Sequence, residues 1–182
     1  TDLCRVYGTI PGPADQMHTG YAGDYVDNQI IVEVQKKYNG AQITKDMARR
    51  WKEKYSFVST STPDEPIMVD FSIEGKAMTL DITDCIQNAC ESIVDPIVEN
   101  VKALVAESNP EFHDEFRRNM VLAGGGSGIA GLGALIERRL SDLGEVNVHV
   151  VDDPVRLGAM GGLRLAMEVP EDMWKNLTLA SR

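Results

Sequence analysis

The sequence predicts an α/β fold in which helices cover a core sheet and a small lobe is inserted between two parts of that core. Apolar strand-like segments alternate with helix-like segments along residues 79–182, an order typical of α/β proteins. Two amphipathic helices and a β-hairpin are predicted within residues 24–78. We therefore assign residues 1–23 and 79–182 to the core subdomain and residues 24–78 to the inserted subdomain.

The chain is predicted to begin with a strand over residues 2–10, which the turn-forming Pro11-Gly12-Pro13 would end. A spacing of four residues predicts a helix over 24–38, with apolar side chains at Val26, Ile30, Val34 and Tyr38. Thr44 is a candidate N-cap for a second helix that reaches Tyr55. The hairpin follows, and its strands, 67–73 and 76–80, would meet at a turn formed by Glu74-Gly75.

The core subdomain resumes with a long predicted helix that Asp81 or Thr83 caps and that runs to about Glu107. Proline lacks a backbone N–H and clashes with the preceding turn, so Pro96 is expected to kink this helix or split it. The segments that follow are predicted as a short helix over 111–118, a strand over 120–123, a helix up to 140, a strand over 146–150, a helix over 155–167 and a short last helix from 170.

Composition and charge narrow the function. The chain has 182 residues and a net charge of -10, and a general nucleic-acid binder would instead need clustered Lys and Arg. No apolar run approaches the roughly 20 residues that a transmembrane helix requires, and the sequence contains no recognisable metal-ligand pattern. The spacing of Cys85 and Cys90 predicts reduced, buried thiols rather than a zinc site, which favours a cytoplasmic protein.

A run of glycines, Gly124, Gly125 and Gly126, lies between a predicted strand and a predicted helix. Such a turn directs backbone N–H groups and the positive end of a helix toward one point, an arrangement suited to a nucleotide. Glycines are also used simply to turn the chain tightly. The same segment contains G-x-G-x-x-G over 126–131, but too few residues follow for several βαβ units, so we do not interpret it as a dinucleotide fingerprint.

Arg49, Lys52 and Glu53 share one face of the second predicted helix because of their i, i+3, i+4 spacing. A carboxylate there can accept hydrogen bonds from ribose hydroxyls, and a lysine stem can pack on a base. A solvated basic face is the simpler interpretation, since neighbouring side chains are charged too. Asp24 and Asp27 are read as helix N-terminal acids that are favourable to the helix dipole.

Three features occur together and in order, and their combination resembles the second half of the bacterial actin-like ATPases around MreB. They are the helix start Gly23-Asp24-x-x-Asp27, the triplet Arg49-x-x-Lys52-Glu53 and the strand-to-helix turn Ala123-Gly124-Gly125-Gly126-Ser127. The resemblance implies an actin-like ATPase domain II with a ribonuclease H-like core sheet. It also implies a site for ATP or ADP with Mg²⁺, in which Gly124, Gly125, Gly126, Ser127, Lys52, Glu53 and Arg49 bind the nucleotide.

The resemblance also assigns the first two residues. Thr1 and Asp2 resemble the last positions of the family's second phosphate loop, so Asp2 would lie near the attacking water. The main catalytic residue and the glycines of both phosphate loops would then belong to a half that this chain lacks. We therefore expect ATPase activity only within a full-length actin-like chain, and none from these 182 residues.

Two functions remain open at this point. The first is the nucleotide-binding, polymer-forming half of a cytoskeletal ATPase, whose partners would be further copies in a head-to-tail filament and a magnetosome-associated adaptor, as in the magnetosome branch of the family. The second is a naturally shortened, non-catalytic module that binds filaments or partners. A dinucleotide-dependent oxidoreductase is remote because the G-x-G-x-x-G match lacks its structural context.

Overall fold

The computed structural model describes residues 1–6 and 11–170. The helices in this part of the chain are α1 (Gly23–Lys37), α2 (Lys45–Tyr55), α3 (Thr83–Glu91), α4 (Val94–Ala106), α5 (His113–Arg118), α6 (Leu132–Arg139) and α7 (Leu157–Glu168). The strands are β1 (Asp2–Cys4), β2 (Gln16–His18), β3 (Ala41–Gln42), β4 (Met68–Ile73), β5 (Lys76–Asp81), β6 (Met120–Leu122) and β7 (Val148–Val150). The last predicted helix, which contains Trp174, lies outside the described residues.

The segment 24–78 contains both predicted helices and the predicted hairpin. Thr44 caps α2, since its hydroxyl accepts a hydrogen bond from the Met47 backbone N–H at 3.2 Å. β4 and β5 pair antiparallel, and the turn between them places Glu74 and Gly75 at positive φ. The short strand β3, absent from the prediction, adds to the other edge of β4 through pairs such as Ala41 with Ile73.

Pro96 splits the long predicted helix, as its position in the sequence predicts. α3 ends at Glu91 and α4 begins at Val94, which leaves Pro96 in the first turn of α4. The proline ring would clash with the carbonyl four residues earlier, that of Ser92, so one continuous helix is disfavoured. A first-turn position also leaves no helical hydrogen bond missing, because the N–H groups of that turn lack intrahelical partners.

The described residues form two separate two-stranded sheets where the sequence predicts one core sheet. β1 pairs antiparallel with β2, and β6 pairs parallel with β7. A groove of about 460 Å³ lies between the two sheets and is lined by residues of β1, α4, α5 and β6. β1 itself covers only the start of the predicted strand 2–10, and residues 7–10 lie outside the described part.

One hydrophobic core joins the inserted segment to the helices of the core subdomain. The side chains that are wholly removed from solvent come from several elements, among them Ile30, Val34, Val58, Ile86, Leu135 and Leu140. α1 packs on α2 and α3, while α6 packs on α4 and β7. α7 lies outside this core and has no buried residue. Among the described residues, no helix is both long and apolar enough to cross a membrane.

Candidate functional site

The glycine run forms a tight turn between β6 and α6. Gly124 adopts φ 86°, a left-handed conformation that favours glycine, and a 3-10 turn over Gly125–Gly128 follows. Ser127 closes this turn, because both its hydroxyl (2.8 Å) and its backbone N–H (3.0 Å) donate to the Gly124 carbonyl. The Gly124 N–H in turn donates to the Pro154 carbonyl at 3.0 Å, which ties the turn to the segment after β7.

The glycines of this segment differ in whether their backbone conformation or their packing requires glycine. Gly131 has φ 80°, and a Cβ there would lie 2.4 Å from the Thr60 hydroxyl, so both the backbone and the packing require glycine. Gly125 and Gly126 do not have positive φ, and among the described residues a Cβ on either would meet no atom within 4 Å apart from its chain neighbours. Neither backbone strain nor packing against residues 1–6 and 11–170 therefore explains the glycines at 125 and 126.

The chain that leaves the glycine turn pairs with the end of α2. Phe57 and Ala130 form a parallel β-bridge, in which the Val58 N–H donates to the Ala130 carbonyl at 3.0 Å. The Ala130 N–H donates to the Ser56 carbonyl at 3.1 Å, and the Thr60 hydroxyl donates to the Gly131 carbonyl at 2.7 Å. These bonds join the segment that follows α2 to Ala130 and Gly131, just after the glycine turn.

Lys52 is not part of a solvated basic face. Its side chain is only 18% exposed, and its ammonium lies 2.7 Å from the Asp27 carboxylate and 2.8 Å from the Gly23 carbonyl that it donates to. Arg49 is more exposed and contacts Asp24 at 3.3 Å and Asp27 at 3.5 Å. α2 thus presents both cations to the first turns of α1, and the solvated-face interpretation is wrong for Lys52.

Glu53, by contrast, lies exposed on α2. Its spacing from Lys52 and Arg49 is as predicted, and its carboxylate is open to solvent. The Asp24 carboxylate is exposed as well, and the hydrogen bond from Lys45 lowers its pKa below the ordinary range. The acids and bases at the start of α1 therefore form a cluster that extends from solvent, at Asp24, to the protein interior, at Asp27.

Asp2 lies on the β1–β2 hairpin, and its side-chain contact is with His18 of the same hairpin. His18 faces it across the hairpin, and the His18 Nδ1 lies 2.5 Å from an Asp2 carboxylate oxygen. This hydrogen bond lowers the pKa of Asp2. Among the described residues, no group of three or more His, Cys, Asp or Glu side chains is placed to hold a metal ion.

Sequence reasoning missed the role of Asp27. The sequence predicts a helix N-terminal acid that is favourable to the helix dipole, yet the exposure of Asp27 is 0%. The signal was present in the sequence, because Asp27, Ile30 and Val34 are spaced three and four residues apart and so share the buried face of α1. A carboxylate on that face requires a buried cation, which Lys52 supplies.

Comparisons with known proteins agree with this architecture. The family model for MreB/Mbl protein matches residues 15–173. The chain is 37% identical over 177 residues to the actin-like protein MamK of Paramagnetospirillum magneticum, covering 97% of this chain and 50% of that relative. It is 35% identical to the MamK of Magnetospirillum gryphiswaldense, with 97% of this chain and 49% of the relative covered.

Solved structures of MamK are also similar to this chain. A MamK double helical filament superposes with a TM-score of 0.87 at 37% identity, covering 93% of this chain and 51% of the other. A non-polymerising MamK mutant bound to AMPPNP superposes with a TM-score of 0.83 at 38% identity, covering 92% and 51%. The chain therefore spans about half the length of the relatives that it matches. From the family match and these identities we conclude that the chain belongs to the MreB/Mbl family of actin-like proteins.

Proposed function

We propose that this chain is the nucleotide-binding, polymer-forming half of an actin-like ATPase related to MamK. The observation that carries the proposal is the open surface above Gly125 and Gly126, where neither the backbone conformation nor contact with the part of the chain that the structure describes calls for glycine. A ligand that approaches the backbone closely supplies the missing reason, since a side chain there would occupy the ligand's place. The relative bound to AMPPNP shows that an adenine nucleotide analogue binds a protein of this fold.

The residues beside this surface fit the chemistry of a nucleotide. Ser127 fixes the turn, and the backbone of Gly124–Gly126 would approach the ribose and base. The bond network from Ser56 to Gly131 brings the end of α2 alongside, where Glu53 has an exposed carboxylate for ribose hydroxyls. Lys52 and Arg49 complete this side of the proposed site. Asp2 is proposed to act on water near the phosphates within the complete protein.

Hydrolysis is assigned to the complete protein rather than to this chain. Phosphoryl transfer depends on groups positioned all around the phosphates and Mg²⁺, and the chain spans about half the length of its relatives. No Mg²⁺ ligand is assigned, because no acidic cluster suited to a metal occurs among residues 1–6 and 11–170. Nucleotide bound with Mg²⁺ is therefore proposed for the complete protein, and no turnover is expected from the 182 residues alone.

Filament formation is the second part of the proposal. A solved relative is a MamK double helical filament, and 93% of this chain superposes on the fold of that relative. Open filaments grow when the contacting surfaces of successive copies differ and the rotation does not close a ring. We propose head-to-tail assembly of the complete protein in the cytoplasm, and a magnetosome-associated adaptor as a further partner.

The test compares the 182-residue chain with the full-length protein that contains it. Phosphate release is measured with ATP and Mg²⁺, and polymer is measured by sedimentation. The full-length protein is expected to hydrolyse ATP and to sediment when ATP is added, whereas the chain alone releases no phosphate above a heat-treated control. Sustained turnover by the purified chain would contradict the assignment of hydrolysis to the complete protein.

The same experiment distinguishes the non-catalytic module. A module of that kind would bind nucleotide weakly or not at all and would co-sediment with filaments of a full-length relative. The ATPase half is favoured instead if the full-length protein binds nucleotide saturably and loses that binding when a side chain is added to the glycine turn.

A further inference from the structure

Asp27 is a completely buried carboxylate for which the fold alone gives no reason. It lies in the second turn of α1, on the same buried face as Ile30 and Val34, with an exposure of 0%. Taking an ionised carboxylate out of water is costly unless a cation and hydrogen bonds compensate it. A residue that served only the core of α1 would be apolar at this position.

The compensation comes from α2. The Lys52 ammonium lies 2.7 Å from one Asp27 oxygen, and the Arg49 Nε lies 3.5 Å from the other. Neither oxygen receives a well-aligned hydrogen bond from the described residues, so charge rather than hydrogen bonding dominates these contacts. Buried pairs with incomplete hydrogen bonding contribute little net stability, although removing one partner is strongly destabilising. A gain in net stability is therefore a weak explanation for the presence of a buried carboxylate at Asp27.

A second observation concerns the space around the ammonium. The Lys52 Nζ donates to the Gly23 carbonyl at 2.8 Å, and a Cβ on Gly23 would lie 3.2 Å from that same nitrogen. Gly23 therefore leaves just enough room for the ammonium, and Asp27 attracts it into that space. Together they fix the position of a long side chain that would otherwise occupy many rotamers.

We propose that Asp27 is a positioning residue for the nucleotide site, acting through Lys52. It holds the end of the lysine against the start of α1, so that the aliphatic stem spans from α2 to α1 in one position. A stem held in one conformation can pack on a nucleotide without first losing rotamer entropy. This inference rests on the proposed function, because it requires that Lys52 contact the nucleotide.

The test is a double-mutant cycle on the full-length protein. The affinity of a fluorescent ADP analogue is measured for wild type, Asp27→Asn, Lys52→Met and the double variant, with thermal midpoints recorded in parallel. Each single change is expected to weaken binding about tenfold. In the Lys52→Met background, Asp27→Asn is expected to add less than about twofold, because the two residues act as one unit.

The control removes an ion pair elsewhere on α1. Lys37 and Asp84 form a surface pair at 2.6 Å, so Asp84→Asn removes one carboxylate without touching the proposed site. Its nucleotide affinity should equal that of wild type. A folded Asp27→Asn variant with wild-type affinity would overturn the inference, as would fully additive effects in the cycle.

A second variant covers the case in which Asp27→Asn does not fold. Gly23→Ala keeps every charge but places a methyl group against the ammonium, which must then shift by a few tenths of an ångström. Weaker nucleotide binding with an unchanged thermal midpoint supports the inference, and unchanged affinity contradicts it. Failure of the wild-type protein to bind the analogue would instead overturn the proposed function itself, so the two failures are distinguishable.

Discussion

At the scale of single residues, the glycines of the strand-to-helix turn illustrate how far a sequence pattern can be interpreted. The run predicted a turn, and Gly124 confirms it with its positive φ. The sequence could not show which glycines the protein itself requires, because that depends on φ and on distant neighbours. Gly131 is required by Thr60, which lies 71 positions away along the chain, whereas no such neighbour of Gly125 or Gly126 occurs among the described residues.

The candidate site was predictable in its residue types and less so in its bonding. Helical spacing predicts Lys52, Glu53 and Arg49 on one face, whereas in the structure Lys52 and Arg49 contact the start of α1 and Glu53 is exposed. The burial of Asp27 was not predicted, because a carboxylate near a helix start is commonly explained by the helix dipole. Its burial arises from the packing of α2 and α3 on α1, which the local sequence does not reveal.

The cysteines give a prediction at this scale. Burial raises the pKa of Cys85 to about 11 and that of Cys90 to about 12, while Cys4 is exposed. Since the thiolate is the reactive form, native alkylation with iodoacetamide at pH 8 should modify Cys4 and spare the other two. Peptide mass mapping over time measures this. Equal rates at all three cysteines in the folded chain would contradict the burial of α3 described above.

At the scale of elements, the long periodic segments were predictable and the short strands were not. α1, α2 and the hairpin were predicted nearly to the residue, because the apolar spacing of the helices and the turn residues of the hairpin are strong local signals. β2 and β3 contain three and two residues, too few for a period, and they form only because a partner strand lies alongside.

The N-cap of α2 gives a direct test of local structure. Thr44→Ala removes the acceptor for the Met47 N–H and should lower the free energy of unfolding by about 1 kcal/mol. Thr44→Ser retains a hydroxyl and is the matched control, with a smaller change expected. Chemical denaturation of the three proteins measures the difference. Equal stability of all three would show that the cap contributes nothing.

The start of α3 predicts a pH dependence. The hydroxyl and the backbone N–H of Thr83 donate to the Asp81 carboxylate at 2.5 and 2.9 Å, which lowers the pKa of Asp81. A lowered pKa in the folded state stabilises the protein above the unfolded-state value of about 4. That contribution is lost as the pH falls through the folded-state pKa.

Unfolding of wild type and Asp81→Asn between pH 7 and pH 3 measures this contribution. Wild type should be the more stable of the two at pH 7, and the difference should shrink toward zero at the acid end. A difference that is constant across this range would mean that the Asp81 charge is not what stabilises the start of α3.

At the scale of the whole molecule, the described residues leave much apolar surface uncovered. The large exposed side chains on or beside α7 are Val155, Leu157, Met160, Leu163, Leu165 and Met167. Exposed apolar patches of this kind favour association with other surfaces. The groove between β1 and β6 adds a second such region, with strand edges on both sides. Composition could not predict the exposed apolar face of α7 or the groove, since both depend on how the helices and strands pack in three dimensions.

We expect the isolated 182-residue chain to self-associate through α7. Met160→Lys combined with Met167→Lys should reduce that association, measured by sedimentation velocity, without lowering the thermal midpoint, since both side chains are more than half exposed. The matched control, Met68→Lys with Met78→Lys, makes the same chemical change on the exposed hairpin. Equal effects of the two pairs would show that association does not depend on α7.

The most direct test of the account measures nucleotide affinity in the full-length protein before and after the glycine turn is filled. Gly125→Asp adds a side chain to the open surface, and Ala77→Asp makes the same charge change on the exposed strand β5. Wild type and Ala77→Asp are expected to bind ATP alike, whereas Gly125→Asp is expected to lose binding at an unchanged thermal midpoint. Equal ATP affinity of all three proteins would contradict the claim that this turn is the nucleotide site.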